Sequence, residues 1–146
     1  MKIHLIKTFE YGAAKNGGKL WLLPEINCFL FEWKGEVLLE EWIEILSWQI
    51  QEIIERKVAN VIGDTTSLGP IGEEYTQWAQ DTYLVKIASA GLKKLAIVLP
   101  NDPLGKMSMQ ELIDNMKANY SEGNPLLQIN YTNDVWEAMQ WIRSKQ

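Results

Sequence analysis

The chain repeats one local pattern: a short apolar run of strand length, then a longer stretch with apolar residues at helical spacing. The runs are "VANVIGD" (58–64), "KLAIVLP" (94–100) and "LLQINY" (126–131). Helix-like stretches follow at 72–90, at "MSMQELIDNMKANY" (107–120) and at "NDVWEAMQWIRSKQ" (133–146). Strands alternating with helices predict an α/β fold, a largely parallel sheet with helices packed on it. The run 94–100 is apolar nearly throughout, as expected of a strand covered on both faces.

The beginning of the chain reads differently. "KIHLIKTF" (2–9) alternates like a strand, and "YGAAKNGG" (11–18) is turn chemistry with Asn16-Gly17 as the hairpin signal. "KLWLL" (19–23) and "NCFLFEW" (27–33) predict two more strands, separated by Pro24. These three strands form an antiparallel meander ahead of the βα units. Residues 39–56 predict a helix with Trp42, Ile43, Leu46, Ile50, Ile53 and Ile54 on its apolar face. Glu41, Glu44, Glu52 and Glu55 fall opposite, with Trp48 among them. Ser108 and Glu111 have capping-box spacing, with Met107 placed to staple against Leu112. In the last helix Val135, Ala138, Met139 and Ile142 face inward.

Composition removes several chemistries. The 146 residues suit one domain, 1–146, and carry a net charge of -5. Nucleic acid needs a basic footprint, and an anionic membrane surface needs one too. No apolar run is long enough to insert into a bilayer, and the first residues lack the apolar region of a signal peptide. Cys28 is the only cysteine and His4 the only histidine. One chain therefore makes no internal disulfide and no four-ligand His/Cys zinc site. No metal, cofactor or catalytic residue is expected, and the chain reads as cytoplasmic. Cys28 lies in an apolar run and reads as a buried structural thiol; His4 reads as a strand residue.

"FEWKGEV" with "EEW" (31–42), "DTTSLGPI" (64–71), "AGLKKLAIVLPND" (90–102), "KMSMQEL" (106–112) and "TNDVWEAMQWI" (132–142) resemble the SpoIIAA-like branch of the STAS superfamily. The resemblance spans roughly residues 27 to 142 and rests on the order of the motifs, each weak alone. It implies a mixed sheet with helices of the STAS type, and a regulatory or binding module rather than an enzyme. In the best-known members a partner kinase phosphorylates a Ser or Thr at the start of the helix after the Asp-ending strand. That place falls here on Ile71, Gly72, Glu73 and Glu74, where no hydroxyl stands. The switch does not carry over; Thr76 lies one turn in, and Thr65, Thr66 and Ser67 lie early.

Two features are candidates for function. The first is the loop Asp64, Thr65, Thr66, Ser67 at the end of an apolar strand, the strand end at which α/β sheets bind ligands. Its structural reading is a turn at Gly69-Pro70, an N-cap at Gly72, and Asp64 bonding the loop's own N–H groups. Asp64 with Glu73 or Glu74 is the one pairing open to acid/base chemistry. The second is aromatic surface. Seven tryptophans are many for this length, Trp48 sits among glutamates, and "TYLVKIASAGL" (82–92) is apolar on nearly every side. Trp48, Tyr75 and Trp78 are the expected anchors for a protein partner, a second copy of the chain included. The alternative is a carrier of a small apolar or lipid-like ligand, which needs a pocket where a partner needs an exposed patch.

Overall fold

A computed structural model describes residues 1–121 and 126–144. Its strands are β1 (His4–Tyr11), β2 (Asn16–Leu23), β3 (Cys28–Lys34), β4 (Asn60–Asp64), β5 (Lys94–Val98) and β6 (Gln128–Thr132). Its helices are α1 (Leu39–Arg56), α2 (Glu73–Trp78), α3 (Leu84–Ser89), α4 (Pro103–Ser121) and α5 (Val135–Arg143). A π-helical turn (Ala79–Tyr83) joins α2 to α3. The strands form one sheet in the order β1-β2-β3-β4-β5-β6. β1–β2 and β2–β3 are antiparallel; β3–β4, β4–β5 and β5–β6 are parallel. This is the mixed α/β sheet that the alternating pattern predicts. Asp64, Val98 and Thr132 pair in one row at the carboxyl ends of the parallel strands.

The strand order never reverses, and that decides the layering. Each parallel crossover is right-handed by the sterics of strand twist. Crossovers that all step the same way put their helices on the same face. Ile45 of α1, Leu84 and Ile87 of α3, and Ile113 of α4 accordingly share one core with Phe29, Phe31, Val61, Leu95 and Ile129. Alternate strand residues point the other way. Leu30, Ile62, Ala96 and Val98 pack there against Ala138 and Ile142 of α5. Among the described helices α5 lies on that second face, over the parallel strands.

Local details depart from expectation for identifiable reasons. The β1–β2 turn is Gly12–Lys15, not Asn16-Gly17; Lys15 N–H donates to Gly12 O at 3.1 Å, and both residues have positive φ. Gly17 and Gly18 belong to β2, at φ 137° and 155°. A side chain on Gly18 would strike the Glu32 carbonyl and the Phe31 ring. The pair is therefore needed for close approach within the sheet, not for turning. α4 begins at Pro103, so Ser108 is not its cap. Proline suits the first helical position, and Asp102 Oδ2 accepts from Gly105 N–H at 2.7 Å. Met107 is exposed instead of stapled.

The buried face of α1 is Trp42, Ile45, Leu46, Gln49, Ile50 and Ile53. Ile54, expected inward, is half exposed. Trp48 does not project among the glutamates. The sheet extends past the flank of α1, and the indole lies half-buried there against the Phe9 ring, centroids 5.6 Å apart at 78°. Lys7 Nζ stands 5.3 Å from the indole centre, and Tyr11 OH donates to Glu44 at 2.6 Å. Within 82–92 Tyr83, Leu84, Ile87 and Leu92 are buried, Leu92 past the end of α3, while Val85 stays 45% exposed; the π turn sets the phase at the start of this stretch. One extra residue re-phases the helix, so Ala79 and Tyr83 are buried together with Leu84 and Ile87.

Candidate functional site

The loop after β4 divides its four candidate residues between two environments. Asp64 Oδ1 accepts from Thr66 N–H at 3.0 Å and from Thr66 Oγ1 at 2.7 Å. This is the local bonding expected of an aspartate at a strand end. Thr65 turns inward and is buried. Its N–H and Oγ1 both donate to Val98 O, at 3.1 and 2.6 Å, which takes it off the surface. Ser67 is exposed, and its carbonyl accepts from Gly35 N–H at 2.8 Å.

Asp64, Thr66 and Ser67 line an open concavity of about 440 Å³ with Thr8, Lys19, Glu32 and Lys34. It lies where α5 does not reach, because Thr8, Lys19, Glu32 and Asp64 pair in one row across β1 to β4. Acids and lysines alternate in it. Glu73 and Glu74 line a different hollow, so the structure does not bring them together with Asp64 as a pair. Among the described residues no group of three or more His, Cys, Asp or Glu could hold a metal ion. Burial pushes the Cys28 thiol up to about 12, the behaviour of an inert structural cysteine.

The two sides of α2 differ from that mixed concavity. On one side Trp78, half-buried, sits with Glu73, Glu74 and Asp81 in an open hollow of about 520 Å³. On the other, an apolar groove of about 460 Å³ runs between the loop before α2 and the start of α4. Leu68, Pro70 and Ile71 form its one wall, Pro100, Leu104 and Leu112 the other. Leu104 is 74% exposed and Met107 beside it 64%. Of the expected aromatic anchors, Trp78 alone is on this surface. Tyr75 is tied inward, its OH donating to Val37 O at 2.7 Å and its ring edge-on to Trp42 at 5.7 Å. Burial, then Glu41 and Glu74, raises its phenol pKa.

Sequence reasoning missed three features. The groove was not foreseen, because its walls come from loops joined only by the parallel pairing of β4 and β5. Trp136 is 68% exposed; its signal was in the pattern, since Val135, Ala138, Met139 and Ile142 leave it facing out. The third lies inside the larger core. A void of about 60 Å³ is lined by Trp42, Gln49, Thr65, Tyr83, Met109 and Met116, among others. Trp42 Nε1 is buried without a hydrogen-bond partner.

No protein-family model and no curated protein sequence matches the chain. Solved structures do. A candidate anti-sigma factor antagonist from Thermotoga maritima superposes with a TM-score of 0.60 at 17% identity, over 86% of this chain and 93% of that one. An uncharacterised DUF3478-family protein from Shewanella loihica, with a SpoIIAA-like fold, gives 0.51 at 13% identity over 97% and 96%. Among the described residues no helix is long and apolar enough to cross a membrane. Strand order, one-sided crossover helices and these superpositions agree: the chain has a SpoIIAA-like fold.

Proposed function

We propose that the chain is a cytoplasmic, non-catalytic regulatory module of the STAS type that binds a protein partner through the surface around α2 and the start of α4. The observation that carries this is the apolar groove of about 460 Å³ with Leu104 standing 74% exposed at its wall. Isolated exposed apolar residues are ordinary. Leu104, Met107 and half-buried Trp78 flank open hollows instead, the arrangement of an anchor region. The Thermotoga protein's description as an anti-sigma factor antagonist supports a partner-binding role.

The test compares wild type with Leu104→Glu and Trp78→Glu in affinity capture from the native host, with circular dichroism to verify folding. One partner protein retained by wild type and lost by both folded variants is the expected result. Equal capture by all three would overturn the assignment of the surface. Sedimentation at micromolar concentration examines the second copy as partner. A two-fold dimer should dissociate in both variants; a wild-type monomer removes self-association. A second reading, a carrier of a small apolar ligand, is favoured by the groove's size, which falls in the range of small-molecule sites. Long-chain fatty acid raising the melting temperature of wild type but not of Leu104→Glu would select it.

A further inference from the structure

We infer that the partner segment received beside α2 is basic and amphipathic. Its apolar side chains would enter the groove at Leu68, Ile71 and Leu104, and its Lys or Arg side chains would lie against Trp78 and the carboxylates around it. The inference rests on the proposed partner surface and adds the partner's chemistry. The groove is large enough for more than one leucine-sized side chain, and among the described residues Asp102 is the only charged one lining it. The hollow on the other side of α2 holds Glu73, Glu74 and Asp81 around the indole of Trp78. Among the described residues no lysine or arginine lines either one. Lys86 of α3 and Lys106 of α4, on the neighbouring elements, line neither.

The charge is not spread evenly over the molecule. On the open face of the sheet Lys15, Lys19 and Lys34 line the concavity together with Glu10, Glu32 and Asp64, so the charge there is mixed, unlike that beside Trp78. A segment lying across α2 meets an apolar slot on one side and carboxylates of one sign on the other, which selects basic side chains there, because complementary charge speeds encounter and like charge is rejected. A tryptophan face bordered by carboxylates also suits a cationic side chain, which gains from the ring and the acids together.

The experiment uses the full chain, ¹⁵N-labelled, titrated with a designed helical peptide of leucine and lysine, and with its counterpart in which every lysine is glutamate. The lysine peptide is expected to shift the Trp78 indole and the Leu104 and Ile71 amides. Its affinity should fall roughly tenfold or more between low and high salt. Glu73→Gln with Glu74→Gln, its fold verified by circular dichroism, should weaken it by about the same factor, and Leu104→Ser should weaken it further. Lys19→Glu should change nothing. Shifts at the same residues by both peptides would overturn the charge inference while leaving the proposed surface standing. Shifts confined to β1–β3, or none with either peptide, would overturn the inference, and the surface would then be judged by the capture experiment alone.

Discussion

Three side chains show how far a residue's role can lie from its type. Gln49 is 2% exposed and accepts from the Tyr83 hydroxyl inside the core. Burial raises the Tyr83 phenol pKa, so the hydroxyl stays a donor. Tyr83→Phe leaves the Gln49 amide unpaired and should cost about 1–3 kcal/mol in denaturant melts. Adding Gln49→Leu should recover part of the loss, since removing both polar partners is cheaper than removing one. A double variant no better than the single would show that the pair is not coupled. Lys94 opens an apolar strand yet is buried. Its Nζ donates to Trp141 O at 2.8 Å, to Ser144 O at 2.7 Å and to Ser144 Oγ at 3.1 Å, capping α5 from another element. Burial lowers its pKa. Cys28 was legible as an inert thiol from its apolar neighbours. At pH 8 a group at about 12 is ionised in about one molecule in ten thousand. An aromatic disulfide should therefore label it only as fast as the protein unfolds, and rapid labelling of native protein would contradict its burial. Gln49 and Lys94 were not legible, because polarity marks a position as exposed until its tertiary partner is known.

At the scale of elements, periodicity placed the helices and strands approximately, α1 at its observed bounds Leu39–Arg56, and failed at the beginning of α4. Ser and Glu three residues apart share a helix face anywhere along a helix, so the spacing of Ser108 and Glu111 does not mark a start. The stronger signal was Asp102-Pro103, an N-cap residue followed by a first-turn proline. Asp102→Ala should lower stability by about 0.5–2 kcal/mol. Ser108→Ala, at an exposed position inside α4, should stay within about 0.5 kcal/mol of wild type. Thermal melts of the two variants decide it: equal losses would return the cap to Ser108. Loss of the Lys94 cap belongs to the same scale. Lys94→Met should cost about 1–3 kcal/mol, with the α5 amides losing hydrogen-exchange protection before those of α1. The stretch 82–92 looked apolar all round because it was read as one helix: α3 ends at Ser89, Leu92 is buried beyond that end, and Val85 is left 45% exposed.

For the whole molecule, alternation of runs predicted the sheet, the antiparallel entry and the parallel remainder. It did not predict the open face. That follows from the unreversed strand order, which hydrophobic period does not encode, and it is why Asp64, Thr66 and Ser67 share a concavity with Lys19. β1 is an edge strand with exposed residues along most of its length, while β3, β4 and β5 are paired on both sides. Hydrogen exchange should be slowest in β3–β5 and fastest in β1; uniform protection would mean that something pairs with the β1 edge. The same strand order governs synthesis. Each strand pairs with the one translated just before it, so the sheet grows at one edge and no strand has to be threaded between two others. The second face has no such schedule. Leu30, Ile62, Ala96 and Val98 are translated before the α5 residues that cover them. A nascent chain that has reached β6 still shows that apolar face to solvent, where a chaperone that holds exposed hydrophobic surface would find it until α5 leaves the ribosome.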